Sequence, residues 1–312
     1  MNRLTETKII LVVRATRLAD LKAKFATKTQ ARFYVSRLGG DFDDYEREDT
    51  AYQQAIAQAR QTLGELGRVQ LVQRAFLPNF VFGEQDIVVA LGQDGLVANT
   101  LKYLNGQPLV GVNPDPKRWD GQLLPFQVPD LEAVMREVLR SGRKTREVTM
   151  AEAALNTGLV LCAVNDLFIG VKSHGSARYR IALGNAAENH SSSGVIVSTG
   201  LGSTGWFKSL MAGAAGVAVA AGRAQAAQAQ DPQFPWESDH LYFTVREPFP
   251  SRNTGTTLVF GKVMPQQPLV IESMMAENGV IFSDGIEHDF IEFNSGTKAT
   301  ISISKRKGRL VV

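Results

Sequence analysis

An apolar run over residues 87–91 ends abruptly in Gly92-Gln93-Asp94-Gly95, which sets one carboxylate between two glycines. Aspartate can take a proton from a reacting hydroxyl, and the flanking glycines permit backbone conformations and close approaches that a side chain would block. The unbroken apolar character of Ile87 to Leu91 suits a buried strand of a parallel sheet. Residues 96–104 follow with helical spacing, so the first N–H groups of that helix would face an anion held in the turn. The chemistry implied is an acid or base at Asp94 beside phosphate. On the tetrapeptide alone, an ordinary strand-to-helix loop with one polar residue is the competing reading.

Three further groups of residues could do chemistry. Gly200-Leu201-Gly202-Ser203-Thr204-Gly205 follows an apolar strand and satisfies the letter of Gly-x-Gly-x-x-Gly, the dinucleotide fingerprint. That fingerprint needs an acidic residue about 20 positions on, at the end of a second parallel strand. No Asp or Glu occurs between Glu188 and Asp231, and the intervening sequence is alanine-rich, so a redox fold is disfavoured. Asn165-Asp166 sets an amide beside a carboxylate, a pair able to hydrogen-bond adjacent hydroxyls of a ribose, although the dipeptide is also a turn signal. Asp284-Gly285 reads equally as a ligand contact or as a hairpin turn. The four histidines, His174, His190, His240 and His288, show no zinc spacing, and no metal site is expected.

Taken together, these blocks resemble the NAD kinase family, most closely its divergent mitochondrial type. Gly92-Gln93-Asp94-Gly95 is similar to a Gly-Gly-Asp-Gly signature shared with diacylglycerol-type lipid kinases and, more distantly, phosphofructokinases. Pro108-Leu109-Val110-Gly111-Val112-Asn113-Pro114-Asp115-Pro116 resembles the strand and turn that follow it. The block 194–206 is similar to the family's Thr-Pro-Thr-Gly-Ser-Thr-Ala-Tyr, with Trp206 as the stacking ring and departures at Gly200, Leu201 and Gly205. Ser193 stands where many members carry an aspartate. Residues 163–170 resemble Leu-Asn-Glu-x-x-Ile with Asp166 for glutamate, and 281–285 with 291–303 match the closing turn and strands.

The resemblance implies transfer of the ATP γ-phosphoryl to the 2′-hydroxyl of the NAD adenosine ribose, giving NADP, at a cleft between two domains of a homo-oligomer, dimer or tetramer. Asp94 would accept the hydroxyl proton; Gly92, Gln93 and Gly95 would hold ATP phosphates with Mg²⁺. The NAD contacts would be Asn165, Asp166, Thr199, Ser203, Thr204, Gly205, Trp206, Ser209 and Asp284. Gln93 replaces a second glycine. If that position needs positive φ, the substitution costs about 1 kcal/mol or more, whereas its amide could instead donate to a phosphate oxygen. Two rivals stay open: a lipid or sugar kinase of the same superfamily, and a non-enzymatic dinucleotide-binding or regulatory protein.

Positioning these residues requires an α/β N-terminal domain with a parallel sheet, over residues 1–142, and a mostly β C-terminal domain, over 143–312. Strands are expected at 9–13, 69–72, 87–91 and 108–112, alternating with helices at 17–38, 52–66 and 131–139. Beyond Gly142 come short strands at 147–154, 159–164, 179–183, 195–198, 241–245, 257–260, 269–271, 280–282, 290–293 and 299–304, interrupted by a helix after Thr204. The alanine-rich stretch 211–230 suits either a tightly packed helix or a mobile insertion. Residues 39–46, rich in acids, read as a solvated loop rather than a metal site, and the basic cluster 305–309 as a solvated chain end.

Composition bounds the rest. The 312 residues are 44% hydrophobic and 21% charged, with net charge +3 from 34 basic and 31 acidic side chains and no long basic block, so no nucleic-acid partner is indicated. The one cysteine, Cys162, cannot form an internal disulfide and lies in an apolar run, which points to a reducing compartment. No apolar segment has the length of a membrane span and no signal-peptide pattern opens the chain; a cytoplasmic protein is expected, with small-molecule nucleotides as its partners.

Overall fold

The computed structural model describes residues 3–223 and 233–312. The chain forms two compact units, one running to Arg146 and taking back Arg309–Val312, the other Glu147–Gly308. The part of the alanine-rich stretch beyond Arg223 lies outside the described residues.

The first unit contains β1 (Lys8–Val13), α1 (Arg17–Phe25), α2 (Lys28–Arg37), α3 (Phe42–Leu66), β2 (Arg68–Gln73), β3 (Ile87–Leu91), α4 (Asp94–Leu101), β4 (Pro108–Asn113), the two-residue β5 (Phe126–Gln127) and α5 (Leu131–Leu139). Its strands run in the order β2-β1-β3-β4, every pairing parallel, with Ile9 opposite Ile87 and Val88 opposite Leu109. Alternate residues Ile9, Leu11, Val89, Leu91, Val110 and Val112 join one core with Tyr52, Ala59 and Leu63 of α3 and Leu131 and Met135 of α5. The residues between them, Ile10, Val12, Val88 and Ala90, are also fully buried. Burial of both sheet faces explains why these strands lack polar alternation.

Two expectations for this unit change. The helical stretch 17–38 is two helices, because Ala26 turns into the left-handed region at φ 62° and Thr27 starts a new helix by accepting the Gln30 N–H. The acidic stretch 39–46 is not a solvated loop. Asp41 accepts the N–H groups of Asp43 and Asp44 and so begins α3 ten residues before the expected start, with acids favourably placed in its first turn.

The second unit follows with β6 (Thr145–Leu155), β7 (Val160–Ala163), β8 (Asp166–Val171), β9 (Ala177–Leu183), β10 (Ala186–Ser192), β11 (Val195–Ser198), α6 (Trp206–Ala220), β12 (Leu241–Val245), β13 (Phe260–Val263), β14 (Leu269–Ser273), β15 (Gly279–Ser283), β16 (Ile286–Glu292) and β17 (Lys298–Val311), whose last residues return to the first unit. One sheet runs β13-β12-β11-β8-β15-β16, all antiparallel. A second antiparallel array, β10-β9-β14-β17, faces it across a shared core in which Leu167, Ile169, Val197, Phe243 and Ile281 meet Tyr179, Ile181, Leu269, Ile271 and Ile301. This is sheet-on-sheet packing with inward residues alternating along each strand. Strands β8 and β10 were not expected. The first opens on the polar Asp166, and the second, Ala-Ala-Glu-Asn-His-Ser-Ser, is polar after its two alanines and forms a hairpin with β9. The basic cluster 305–309 belongs to β17, where Lys307 Nζ donates to Thr149 Oγ1 at 2.6 Å, so it is not a solvated end.

Candidate functional site

The first unit presents the turn from β3 into α4. Gly92 N–H donates to Val112 O at 3.1 Å, tying the turn to the neighbouring strand. Gln93 precedes α4 in extended conformation, φ −115° and ψ 164°, and makes no side-chain cap. Any residue adopts that conformation, so glycine is not required at position 93 and the anticipated backbone cost does not arise. Gly95 is exposed in the first helical turn, and a Cβ built on it would meet nothing within 4 Å. Glycine weakens a helix by about 1 kcal/mol relative to alanine, and no contact within the chain demands it here. Leu96 and Val97 N–H donate to Gln93 O, and no side chain caps the N–H groups of Asp94 and Gly95, which can face a ligand.

Asp94 opens α4, and its orientation is fixed by backbone. Its Oδ1 accepts Leu123 N–H at 2.8 Å and its Oδ2 accepts Gln122 N–H at 3.3 Å. Those donors lie on the segment between β4 and β5, which is shaped by its own sequence. Asn113 Oδ1 accepts Asp115 N–H, Asn113 Nδ2 donates to Trp119 O, and Gly121 takes φ 66°. Gly111 lets this segment cross β4, since a Cβ there would collide with the Leu123 carbonyl. Tyr52 braces the same sheet end: its hydroxyl donates to Leu91 O at 2.6 Å and accepts Arg14 N–H at 3.0 Å. Burial pushes the Tyr52 pKa up to about 12, so it remains a donor. Arg118 adds a bidentate pair with Asp44 at 2.6 and 2.9 Å, and these two hydrogen bonds, with those from Arg17, hold the Asp44 carboxyl well below the usual range. Sequence reasoning missed Gly111, Tyr52 and the amides of Gln122 and Leu123. Only the Asn-Pro-Asp-Pro turn at 113–116 hinted that this segment is built.

The second unit gathers the dinucleotide candidates around the start of β8. Asp284 and Gly285, both in the left-handed region at φ 55° and 68°, form the two-residue hairpin between β15 and β16. The Asp284 carboxylate is also spent on backbone. Its Oδ1 accepts the N–H groups of Asn165 at 2.6 Å, Val164 at 3.0 Å and Asp166 at 3.3 Å. Asp284 therefore holds the Asn165–Asp166 corner. Asn165 is half-buried, whereas Asp166 is 7% exposed. Burial first, and the neighbouring Asp284 charge second, push the Asp166 pKa up to about 7.

The glycine-rich block divides by exposure. Thr199 is fully buried: its hydroxyl donates to Val164 O at 2.5 Å and accepts Gly202 N–H at 3.1 Å. Ser203, 1% exposed, donates to Gly200 O at 2.6 Å. A Cβ at Gly202 would collide with the Asn165 carbonyl, and one at Gly200 with the Pro235 carbonyl. Thr199, Gly200, Gly202 and Ser203 thus serve close backbone packing. Thr204, Gly205 and Ser209 are exposed, and Trp206 is half-buried at the start of α6. The structure accordingly brings Asn165, Asp166, Thr199, Ser203, Thr204, Trp206 and Asp284 together in one unit and gives them two sorts of task.

The chain is similar to known proteins in sequence and in fold. No protein-family model matches the chain. A probable NADH kinase of Oryza sativa subsp. japonica is 27% identical over 256 residues, covering 72% of each chain. An NAD kinase from Archaeoglobus fulgidus, solved in complex with ATP, superposes with TM-score 0.57 at 15% identity over 98% of this chain and 94% of its own. Yeast NADH kinase, solved with NADH, superposes with TM-score 0.59 at 15% identity over 99% of this chain and 84% of its own. The chain resembles NAD kinases in sequence, and its fold, an α/β unit with a parallel sheet and a mostly β unit, is theirs.

Proposed function

We propose that this chain is an ATP-dependent kinase that phosphorylates the 2′-hydroxyl on the adenosine ribose of NAD or NADH. The observation that carries the reading is Asp94: a carboxylate at the carboxyl end of a parallel strand, clamped by two backbone amides beside an exposed glycine that the fold itself does not need. Phosphoryl transfer asks a protein for positioning and charge stabilisation rather than covalent chemistry, and a rigidly held acid at a phosphate turn meets that demand. In the proposed reaction the ribose oxygen forms the new P–O bond as the bond to the β–γ bridging oxygen breaks. Asp94 takes the hydroxyl proton, and ADP leaves. The Asp94 and Gly95 amides at the start of α4 and the Gln93 side chain would hold phosphate oxygens.

Among the described residues no group of three His, Cys, Asp or Glu side chains is placed to hold a metal ion. Magnesium would arrive on the ATP phosphates, as this hard, hydrated ion commonly does, with Asp94 the carboxylate at the turn. On the acceptor side Asn165 and Asp166 would bind the ribose, Thr204 and Ser209 the exposed polar groups, and Thr199, Ser203 and Asp284 would keep the backbone beneath them in place. The rice relative and the yeast and archaeal structures support this acceptor class. No helix among the described residues is long and apolar enough to cross a membrane. The deciding experiment is incubation of the purified protein with ATP, Mg²⁺ and, separately, NAD, NADH, diacylglycerol and sugars. A 2′-phosphorylated dinucleotide is the expected product. A phosphorylated lipid or sugar would replace the reading, and dinucleotide binding without any product would make the chain a binding protein.

A further inference from the structure

Helix α3 begins with a polar stripe. Asp44, Glu48 and Tyr52 stand four residues apart, which sets them along one face of the helix. Later turns of the same helix join the apolar core through Ala55, Ala59 and Leu63. Glu48 is only 4% exposed, and a buried carboxylate is costly unless it is paired. Its Oε1 accepts from Arg14 Nη2 at 2.8 Å, and its Oε2 accepts from Arg17 Nε. Asp44 Oδ2 accepts from Arg17 Nη2 at 2.7 Å and from Arg118 Nη1 at 2.9 Å, while Asp44 Oδ1 accepts from Arg118 Nη2 at 2.6 Å. The stripe therefore gathers two arginines that follow β1 and one from the segment between β4 and β5.

Two of these arginines lead to the turn at Asp94. Arg14 N–H donates to the Tyr52 hydroxyl, which in turn donates to Leu91 O at the end of β3. Arg118 precedes Gln122 and Leu123 by one short stretch of chain, and the amides of those two residues hold the Asp94 carboxylate oxygens. Residues 114–125 form no helix or strand of their own, so their course past Asp94 depends on where they are pinned. Asn113 pins the start of the segment through Asp115 N–H and Trp119 O, and Arg118 fastens its middle to α3. A bidentate guanidinium–carboxylate pair fixes orientation as well as distance, which a single hydrogen bond does not. Both side chains of the pair are partly exposed, Arg118 at 24% and Asp44 at 30%, so the pair contributes little to global stability. What it supplies is position.

Resting on the reading of Asp94 as the proton acceptor of a kinase, we propose that Asp44 and Arg118 are positioning residues for the transfer. The pair holds residues 118–123 against α3, and the Gln122 and Leu123 amides then set the direction in which the Asp94 carboxylate meets the acceptor hydroxyl. Each carboxylate oxygen commits a lone pair to an amide, so a shift of the segment turns the remaining lone pairs away from the hydroxyl. An error of about 1 Å in a reacting group can cost about 10²-fold in rate. Arg17, which bridges Asp44 to the buried Glu48, keeps the Asp44 carboxylate in place for Arg118. Neither Asp44 nor Arg118 needs to touch ATP or the dinucleotide for this, so their loss should lower turnover and spare substrate affinity.

The test combines steady-state kinetics with ATP, Mg²⁺ and NAD or NADH, amide hydrogen exchange over residues 118–123, and thermal melts. Arg118→Gln and Asp44→Asn should each lower kcat about 10- to 100-fold, with KM for both substrates within about twofold of wild type. Exchange at the Gln122 and Leu123 amides should quicken in both variants, while the melting temperature moves by only a few degrees. Arg118→Lys, which keeps the charge and loses the bidentate fork, should fall between, and it serves in place of Arg118→Gln if that variant does not fold. In an Asp94→Asn background Arg118→Gln should lower turnover by less than about twofold, because the carboxylate it positions is gone; a merely structural role would cost the same factor in both backgrounds. Equal factors in the two backgrounds, or unchanged kcat and amide exchange in the variants, would overturn the positioning role and leave the kinase reading standing. A wild type that forms no phosphorylated dinucleotide would overturn both.

Discussion

Replacing Asp166 by Asn should make the protein more stable at pH 8 and leave its stability at pH 4 nearly unchanged. In the unfolded chain this carboxyl releases its proton near its ordinary value of 3.8, but in the folded protein near 7, because it is buried and faces the Asp284 carboxylate. A folded pKa raised above the unfolded one means that the native state holds a proton which the unfolded state has already released. Stability present below pH 4 is therefore lost progressively as pH rises to 7, and the full cost persists above it. At 1.36 kcal/mol per pH unit the interval amounts to about 4 kcal/mol, and relaxation around the pair would reduce it to about 2–4 kcal/mol. Asparagine keeps the shape of the protonated acid and never ionises. Urea unfolding of both proteins from pH 4 to 8 measures the effect directly, with the stability difference expected to grow with pH in favour of the variant and to level off above pH 7. A difference that is constant across the range would show that Asp166 is not held protonated by its surroundings.

Further outcomes follow from the same geometry. Asp94→Asn should lower turnover by about 10²- to 10⁴-fold while dinucleotide affinity stays within a few-fold, and wild-type rates would remove Asp94 from the mechanism. Asp284→Ala strips three N–H groups of their acceptor and should raise KM for the dinucleotide and not for ATP, with a stability loss of about 2–4 kcal/mol read by denaturant melts. An unchanged dinucleotide KM would confine Asp284 to its hairpin. Gln93→Gly should not increase phosphorylation, because Gln93 sits at φ −115° without strain; loss of one amide contact to phosphate should instead lower activity roughly two- to tenfold, and a large gain would refute that contact.

The architecture was legible where burial leaves a strong mark. The unbroken apolar strands of the first unit, the helix 131–139 and the change to short strands near residue 145 follow from which faces are covered, and the structure has these elements. It was not legible where polar residues are consumed by the fold. The acids at 39–46 looked solvated because sequence does not show that Asp41 caps a helix and that Asp44 meets Arg118, 74 residues away. The polar composition of β10 hid a strand whose backbone pairs with β9 regardless of its side chains. At the candidate site the motifs named residues without showing which of them the fold itself consumes. Thr199 and Ser203 carry hydroxyls suited to a ligand, yet both face carbonyls inside the turn, a fact set by contacts with residues 164 and 200 that no local pattern records.

The two carboxylates Asp166 and Asp284 show how a costly arrangement is kept. Two like charges close enough to oppose each other at a buried position are unfavourable, and the fold resolves the conflict unequally. Asp284 receives three backbone N–H groups, which stabilise its ionised form and at the same time fix the corner that presents Asn165. Asp166 receives no comparable set of donors and holds its proton to about pH 7. If stability alone governed position 166, an apolar residue or an asparagine would serve better there, since neither carries a charge that burial and Asp284 oppose. In the proposed function a carboxyl kept at that cost, beside the half-buried Asn165 in one corner, would meet a ribose hydroxyl. Near neutral pH it could either donate its proton to the hydroxyl oxygen or accept the hydroxyl hydrogen, and ligand binding would then offset part of what folding leaves uncompensated.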